Sequence, residues 1–312
     1  MLPKVTLQIS LAPSDFRHVI HLLPHQINVF ENQVDEILLT YDVHKSNGHF
    51  ANNWEKNNAK MWDFLSKISS ENPKIRLIKI DYSKEKNKSI ASYFFRKKAI
   101  PPKDWRGGPF YTYFYGIYEA KNDFVLHIDS DIFFGGLSQT WLNEAINLYQ
   151  EDKGVLFINP LAGPPKDDKT LVNQVYTNYM GKDFYFKFIS MSTRIYLVNR
   201  LKLKQTPLKN IRVYNLKKFA KALVRKNPQF KLPEEILTKL MQDESLFRLD
   251  FKGEEPGLWS LHPPYRTEAF YKDLPEIIKQ IEINDVPEAQ KGFYDIVDEF
   301  VDWSIAKEKL RN

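Results

Sequence analysis

Phe124-Val-Leu-His-Ile-Asp129-Ser-Asp131-Ile-Phe-Phe-Gly-Gly136 decides how the chain is read. An apolar run stops at two carboxylates in an i, i+2 relation, which puts both side chains on the same side of an extended backbone. Ligands gather at the carboxyl ends of parallel strands. Asp129 and Asp131 are therefore candidate ligands of one divalent cation. Mg2+ and Mn2+ favour oxygen donors and commonly combine one or two carboxylates with the phosphates of a substrate. The competing structural reading is a turn rich in Asp and Ser.

Outward from this stretch, strands and helices alternate. Val5, Leu7, Ile9 and Leu11 form a period-2 strand, and Ser14 stands where an N-cap would open a helix with the stripe Phe16, Val19, Ile20, Leu23 and Ile27. Pro24 is expected to kink or divide that helix. Further strands are expected at residues 36–42 and 75–81, with a turn at Ser46-Asn47-Gly48 and a helix around Trp54 to Ile68. Gly107-Gly108-Pro109 introduces an aromatic helix through Tyr118, whose rings are expected to pack behind the sheet. Beyond Gly136 the pattern predicts a helix at 141–149, a strand at 154–159, mixed strand character over 184–199 and a helix near Leu232 to Leu249. The alternation implies an α/β fold with a mostly parallel central sheet flanked by helices, a small antiparallel addition and a C-terminal helical extension. The expected division is one domain over 1–265 with residues 266–312 packed on it.

The chain has 312 residues and no cysteine, so disulfides, thiolate metal sites and cysteine nucleophiles are excluded. That composition and the N-terminal pattern lead to the expectation of a cytoplasmic protein, soluble or peripheral to a membrane. No P-loop, zincin or nucleophile-elbow pattern occurs. The formal charge of +6 is uneven: residues 201–231 hold ten Lys and Arg and no acid, which leaves the other 281 residues at −4. Concentrated charge of this kind speaks of a local anionic partner.

The order of elements, with Asp42 ending the second strand, Asp81 the third and Gly107-Gly108 leading towards VLHIDSD, resembles the nucleotide-sugar glycosyltransferases of the GT-A fold, particularly the broad family 2, over residues 5–265. The resemblance implies a Rossmann-like sheet and a metal-dependent transfer of a sugar from a UDP- or GDP-sugar to the hydroxyl of a glycan, lipid-linked or small-molecule acceptor. It implies base recognition by Asp42, a further nucleotide contact at Asp81, nucleotide binding at Gly108, ribose or metal contact for Asp129, and a Mn2+ or Mg2+ ligand in Asp131. Met241-Gln-Asp-Glu-Ser-Leu-Phe-Arg248 resembles the family's E-D-x-x-L pattern at the start of a helix, with Asp243 in the place of the general base, Glu244 beside it, and Gln242 where an acid is commoner. A late histidine, His262, matches the third metal ligand of some relatives, mostly retaining ones, and Arg266 is placed to clamp a phosphate oxygen. Inversion is the expected outcome and retention the alternative.

Two other readings compete. Haloacid-dehalogenase-like phosphatases also carry D-x-D after an apolar strand, but usually after the first strand. A docking module could use the basic segment 201–231. Within it, positions 213, 216, 219, 220, 223 and 224 are apolar at helical spacing. Such a helix either lies on an anionic bilayer or packs its stripe on the core and leaves a solvated cationic face. Nucleic-acid binding is not expected.

Overall fold

The computed structural model describes residues 3–45, 54–209 and 211–311; the turn expected at Ser46-Asn47-Gly48 lies outside them. The chain runs β1 (Val5–Leu11), α1 (Phe16–Phe30), β2 (Glu36–Tyr41), α2 (Trp54–Glu71), β3 (Ile75–Lys79), α3 (Lys84–Phe95), α4 (Tyr111–Glu119) and β4 (Phe124–Asp129). There follow β5 (Phe133–Gly135), α5 (Trp141–Glu151), β6 (Val155–Ala162), β7 (Thr177–Asn178), β8 (Tyr185–Phe188), β9 (Ile195–Asn199) and α6 (Arg200–Gln205). The last third holds α7 (Leu216–Val224), α8 (Pro233–Asp243), β10 (Phe247–Phe251), β11 (Trp259–Leu261), α9 (Glu268–Glu282) and α10 (Ser304–Arg311). Two compact units emerge: residues 1–16, 34–129 and 189–247 form the first, and 17–33, 130–188 and 248–312 the second.

In the first unit the strand order is β3-β2-β1-β4-β9. The first four strands are parallel, and β9 is antiparallel to β4, the small addition expected from the sequence. The apolar residues of β1, β2 and β4 are buried. Helix α2 packs on β3, and α4 on β1, β2 and β4. A polar ladder crosses the buried sheet: Gln8 Nε2 donates to Thr40 Oγ1 at 2.8 Å, and Gln8 Oε1 meets His127 Nδ1. Helix α4 lies directly over this ladder, because Gly116 faces the Gln8 amide where any Cβ would collide. Close approach of α4 is what lets its Tyr113 reach the end of β4.

The second unit carries β6-β10-β8-β7, with β11 parallel to β6 and antiparallel to β5. Residue Gly135 of β5 stands opposite Trp259 of β11, with the indole where a Cβ would be. Residues 266–312 contribute Phe270, Leu274, Ile277, Ile281 and Trp303 to an apolar core shared with Leu22, Phe133 and Leu161. Helix α1 is stitched to β5: Gln26 Nε2 donates to Ile132 O at 2.9 Å, and Phe134 N donates to His25 Nε2 at 3.0 Å.

Three local expectations are corrected. Ser14 is not the N-cap; a 3-10 turn at Pro13–Asp15 precedes α1, and Asp15 accepts from Ala12 N at 3.0 Å. Pro24 does not divide α1, which stays one helix from Phe16 to Phe30 with nine buried residues compensating for the lost backbone bond. The helix expected over 232–249 stops at Asp243 and is followed by β10. Its end is a six-to-one backbone bond, Leu246 N to Met241 O at 2.8 Å, with Ser245 at φ 54° in the position glycine usually takes.

Candidate active site

Each unit presents part of the predicted constellation. In the first, Asp42 follows β2 and is buried, its side chain 10% exposed and ion-paired with Lys103 at 2.9 Å. Its other oxygen accepts from Tyr82 Oη and from His44 N, both at 2.8 Å. Tyr82 has its pKa raised, by burial first and by the Asp42 charge second. The rings of His44 and Tyr111 lie 5.0 and 4.9 Å from that of Tyr82, so Asp42 sits in an aromatic nest. Lys103 is aimed by the loop that follows it. Gly107 takes φ 85°, and Asp104 Oδ1 accepts from Arg106 N and Gly108 N at 2.7 and 3.0 Å. Gly108 packs against the Asp104 carboxylate, where a Cβ would crowd it. Burial raises the Asp104 carboxyl above its ordinary value. Asp81 is exposed and accepts from Ser83 N at 2.7 Å, which holds its pKa down; its backbone oxygen accepts from Tyr111 Oη at 2.8 Å.

Asp129 closes β4 with its side chain 25% exposed. Tyr113 Oη lies 3.3 and 3.4 Å from its two oxygens. His127, two residues back on the same side of the strand, brings Nε2 to 3.3 Å from Oδ1 without the angle of a hydrogen bond. Burial, then the Asp129 charge, raises the Tyr113 phenol well above its usual range, so it stays a protonated donor.

In the second unit Asp131 is buried, its side chain 5% exposed, and its carboxylate is gripped by the Arg266 guanidinium. His262 Nε2 stands 3.8 Å from Asp131 Oδ2. The imidazole is fixed from behind: Nδ1 lies 2.9 Å from Asp295 Oδ1, and the backbone is tied by His262 N to Tyr294 O and Ile296 N to His262 O, each 3.0 Å. A carboxylate behind one ring nitrogen orients the other for an electrophile. His18 Nε2 meets Ser130 Oγ at 3.1 Å, while its buried Nδ1 has no partner among the described residues. Burial, with a lesser push from Arg266, drives the His18 pKa well below its ordinary value, so this imidazole is neutral.

The residues expected to act together are thus gathered locally: Asp131, His262 and Arg266 in one unit, Asp42 and the glycine loop, through Lys103, in the other. Asp243 and Glu244 are placed differently from the expectation. They lie at the C-terminal end of α8, not at the start of a helix, and Asp243 is 48% exposed and paired with Lys239 at 2.5 Å. The opposite end of α8 carries Glu234, whose carboxyl is raised by desolvation against the opposing pull of Arg106 and Arg194. Glu234, Tyr82, Lys103, His127, His18 and Asp295 escaped the sequence reading, and Tyr113, read as one of the rings packing behind the sheet, brings its hydroxyl to Asp129; only the spacing of His127 and Asp129 offered a local signal.

No known family's sequence model matches the chain, and no curated protein matches it. Solved structures similar to it include S. aureus TarS in complex with UDP-GlcNAc, 11% identical, covering 92% of this chain and 68% of that one at a TM-score of 0.42. An active-site mutant of LgtC is 12% identical, with coverages of 75% and 69% and a TM-score of 0.35. A mycobacterial protein is 9% identical, with coverages of 89% and 73% and a TM-score of 0.38. These likenesses are remote, and the functional assignment rests on the residues themselves. Among the described residues no helix is long and apolar enough to cross a membrane.

Proposed function

We propose that this chain is a GT-A-like glycosyltransferase that moves a sugar from a UDP- or GDP-sugar to a glycan, lipid-linked or small-molecule hydroxyl, with inversion. One observation carries the proposal: a buried carboxylate, Asp131, two residues past the end of a parallel-sheet strand, held by Arg266 and faced by a histidine that Asp295 orients. The carboxylate and imidazole donors are of the kind Mn2+ and Mg2+ accept, and with no group of three His, Asp or Glu ligands among the described residues most of the ion's shell would have to come from phosphate oxygens and water. Asp131 and His262 Nε2 would hold the ion. Such an ion, when bound, neutralises charge on the departing diphosphate.

The protein's own groups do the rest. Arg266, 44% exposed, is free enough to exchange Asp131 for a diphosphate oxygen, a charge-assisted bond that strengthens as the leaving group gains charge. Asp42 and Tyr82 offer an acceptor and an aromatic face to the base, Asp129 an acceptor to the ribose, and Asp81 and Gly108 further nucleotide contacts. Removal of the acceptor proton requires a carboxylate that is unprotonated yet basic. Glu234, whose carboxyl is raised by desolvation and which pairs with Arg106 at 3.7 Å, is a candidate for this beside Asp243 of the family-like motif, paired with Lys239, and its neighbour Glu244.

A thermal-shift screen of UDP, GDP and their sugars, with and without Mn2+, tests the proposal. Saturation at about 100 times Kd stabilises the native state by about 2.7 kcal/mol. Asp131→Ala should abolish the Mn2+-dependent part of the shift and donor hydrolysis together. A wild-type chain that responds to no nucleotide sugar, or a variant that still responds to Mn2+, overturns it. Nuclear magnetic resonance of the first-formed product reads inversion directly.

A further inference from the structure

Helix α7 is fully formed yet has almost nothing to pack on. Asn215 caps its first turn, accepting from Lys218 N at 3.1 Å. Its last turn closes with Lys226 N to Leu223 O at 3.0 Å and Asn227 N to Ala222 O at 2.9 Å, Lys226 taking φ 56°. Backbone bonds Val213 N to Gln229 O and Lys231 N to Ile211 O, at 3.1 and 2.8 Å, pinch the flanking chain into a short stalk whose Ile211 and Val213 are buried. The helix therefore projects from this base as a capped unit.

Its apolar stripe, expected either to pack inward or to meet a bilayer, is open. Leu216, Phe219, Ala220 and Leu223 follow the i, i+3, i+4, i+7 spacing of one face, and Val224 borders it. Leu216 is 84% exposed, Val224 85% and Leu223 53%, and Ala222 alone is buried. Tyr214, at the foot of the helix, is 74% exposed. Along one border of the stripe run Lys217 and Lys221, and Arg225 and Lys226 follow at the end; all four are exposed and none makes an ion pair among the described residues. Only Lys218, turned towards the protein, is neutralised, by Glu235 at 2.5 Å.

We propose that α7 docks this protein on an anionic lipid bilayer, with the stripe in the acyl boundary and the flanking cations at the headgroups. Charge selects the occupant's sign: residues 201–231 contain ten cations and no acid. The stripe selects its class, because a polyanion in water neutralises the lysines but leaves Leu216, Leu223 and Val224 wet, whereas a bilayer satisfies both halves of the helix. Docking of this kind does not depend on the glycosyltransferase reading.

Flotation of the full chain with vesicles tests it. Vesicles of equimolar phosphatidylcholine and phosphatidylglycerol should carry the protein, pure phosphatidylcholine should carry little, and salt should weaken the binding. Replacing Leu216, Leu223 and Val224 together by Ser should lower the partition coefficient by about tenfold or more, as should Lys217→Glu with Lys221→Glu. Thermal midpoint and nucleotide-sugar hydrolysis without vesicles should stay at wild-type values in both variants, because these side chains support no core. The charge variant keeps the test sharp if the serine variant loses its helix. No flotation with anionic vesicles overturns the proposal. So does equal binding of both variants, oligonucleotide binding that ignores the serine changes, or a dimer of this chain that the serine changes dissociate.

Discussion

The two ends of α8 set position against motif. At its N-terminus Glu234, its side chain 42% exposed, pairs with Arg106 at 3.7 Å, and desolvation raises its carboxyl. At its C-terminus Asp243, 48% exposed, is held more closely, by Lys239 at 2.5 Å. The family-like motif points to the second end, and desolvation of the carboxyl to the first. The macrodipole works against this order, since its positive pole at Glu234 favours the ionised carboxylate and its negative pole at Asp243 and Glu244 disfavours it, so desolvation must outweigh the dipole at Glu234.

The largest expected difference is catalytic. Glu234→Gln should lower sugar transfer by about 10²-fold or more with donor binding unchanged, whereas Asp243→Asn should stay close to wild type. Steady-state kinetics beside a donor-binding assay reads both, and the opposite order would return the base to Asp243. Next in size is a pH effect. Desolvation raises the Glu234 pKa, so its base form appears only above the ordinary glutamate range, and the acidic limb of kcat/KM should sit correspondingly high. The stability sign is opposite: a raised folded-state pKa means a contribution present at low pH and lost as pH climbs through the folded value. Glu234→Gln should flatten both profiles.

Smaller still is the cap. Glu235 accepts from Leu232 N at 3.1 Å and from Lys218, so Glu235→Ala should cost about 1 kcal/mol in chemical denaturation. Lys239→Ala, which removes only the exposed i, i+4 pair at the other end, should cost about 0.5 kcal/mol or less. Equal costs would show that the two ends are alike energetically, whatever their chemistry.

Much of the sheet was legible because its signals are local. Strands β1 to β4 announce themselves by apolar period, β2 to β4 also by the acids at or just past their ends, and the glycine pair before α4 marks a loop. The β10 boundary was hidden, because the chain leaves α8 through Ser245 at positive φ instead of through a glycine, and the apolar spacing continues past it. The partners in the site were hidden for a different reason. Lys103 lies 61 residues from Asp42 and His18 112 from Ser130, separations at which only the folded chain shows who meets whom. The stripe of α7 was legible as a stripe, but periodicity is silent on whether a face is covered.

The pairing of Gly135 with Trp259 constrains how this region can change over generations. With the indole occupying the place of a side chain at 135, no substitution there is tolerated until position 259 has first become small, and shrinking the tryptophan alone leaves a hole. Each single step is unfavourable, so the two positions form an epistatic lock. The segment that follows the acidic motif should therefore drift far more slowly than the open helix of the basic stretch.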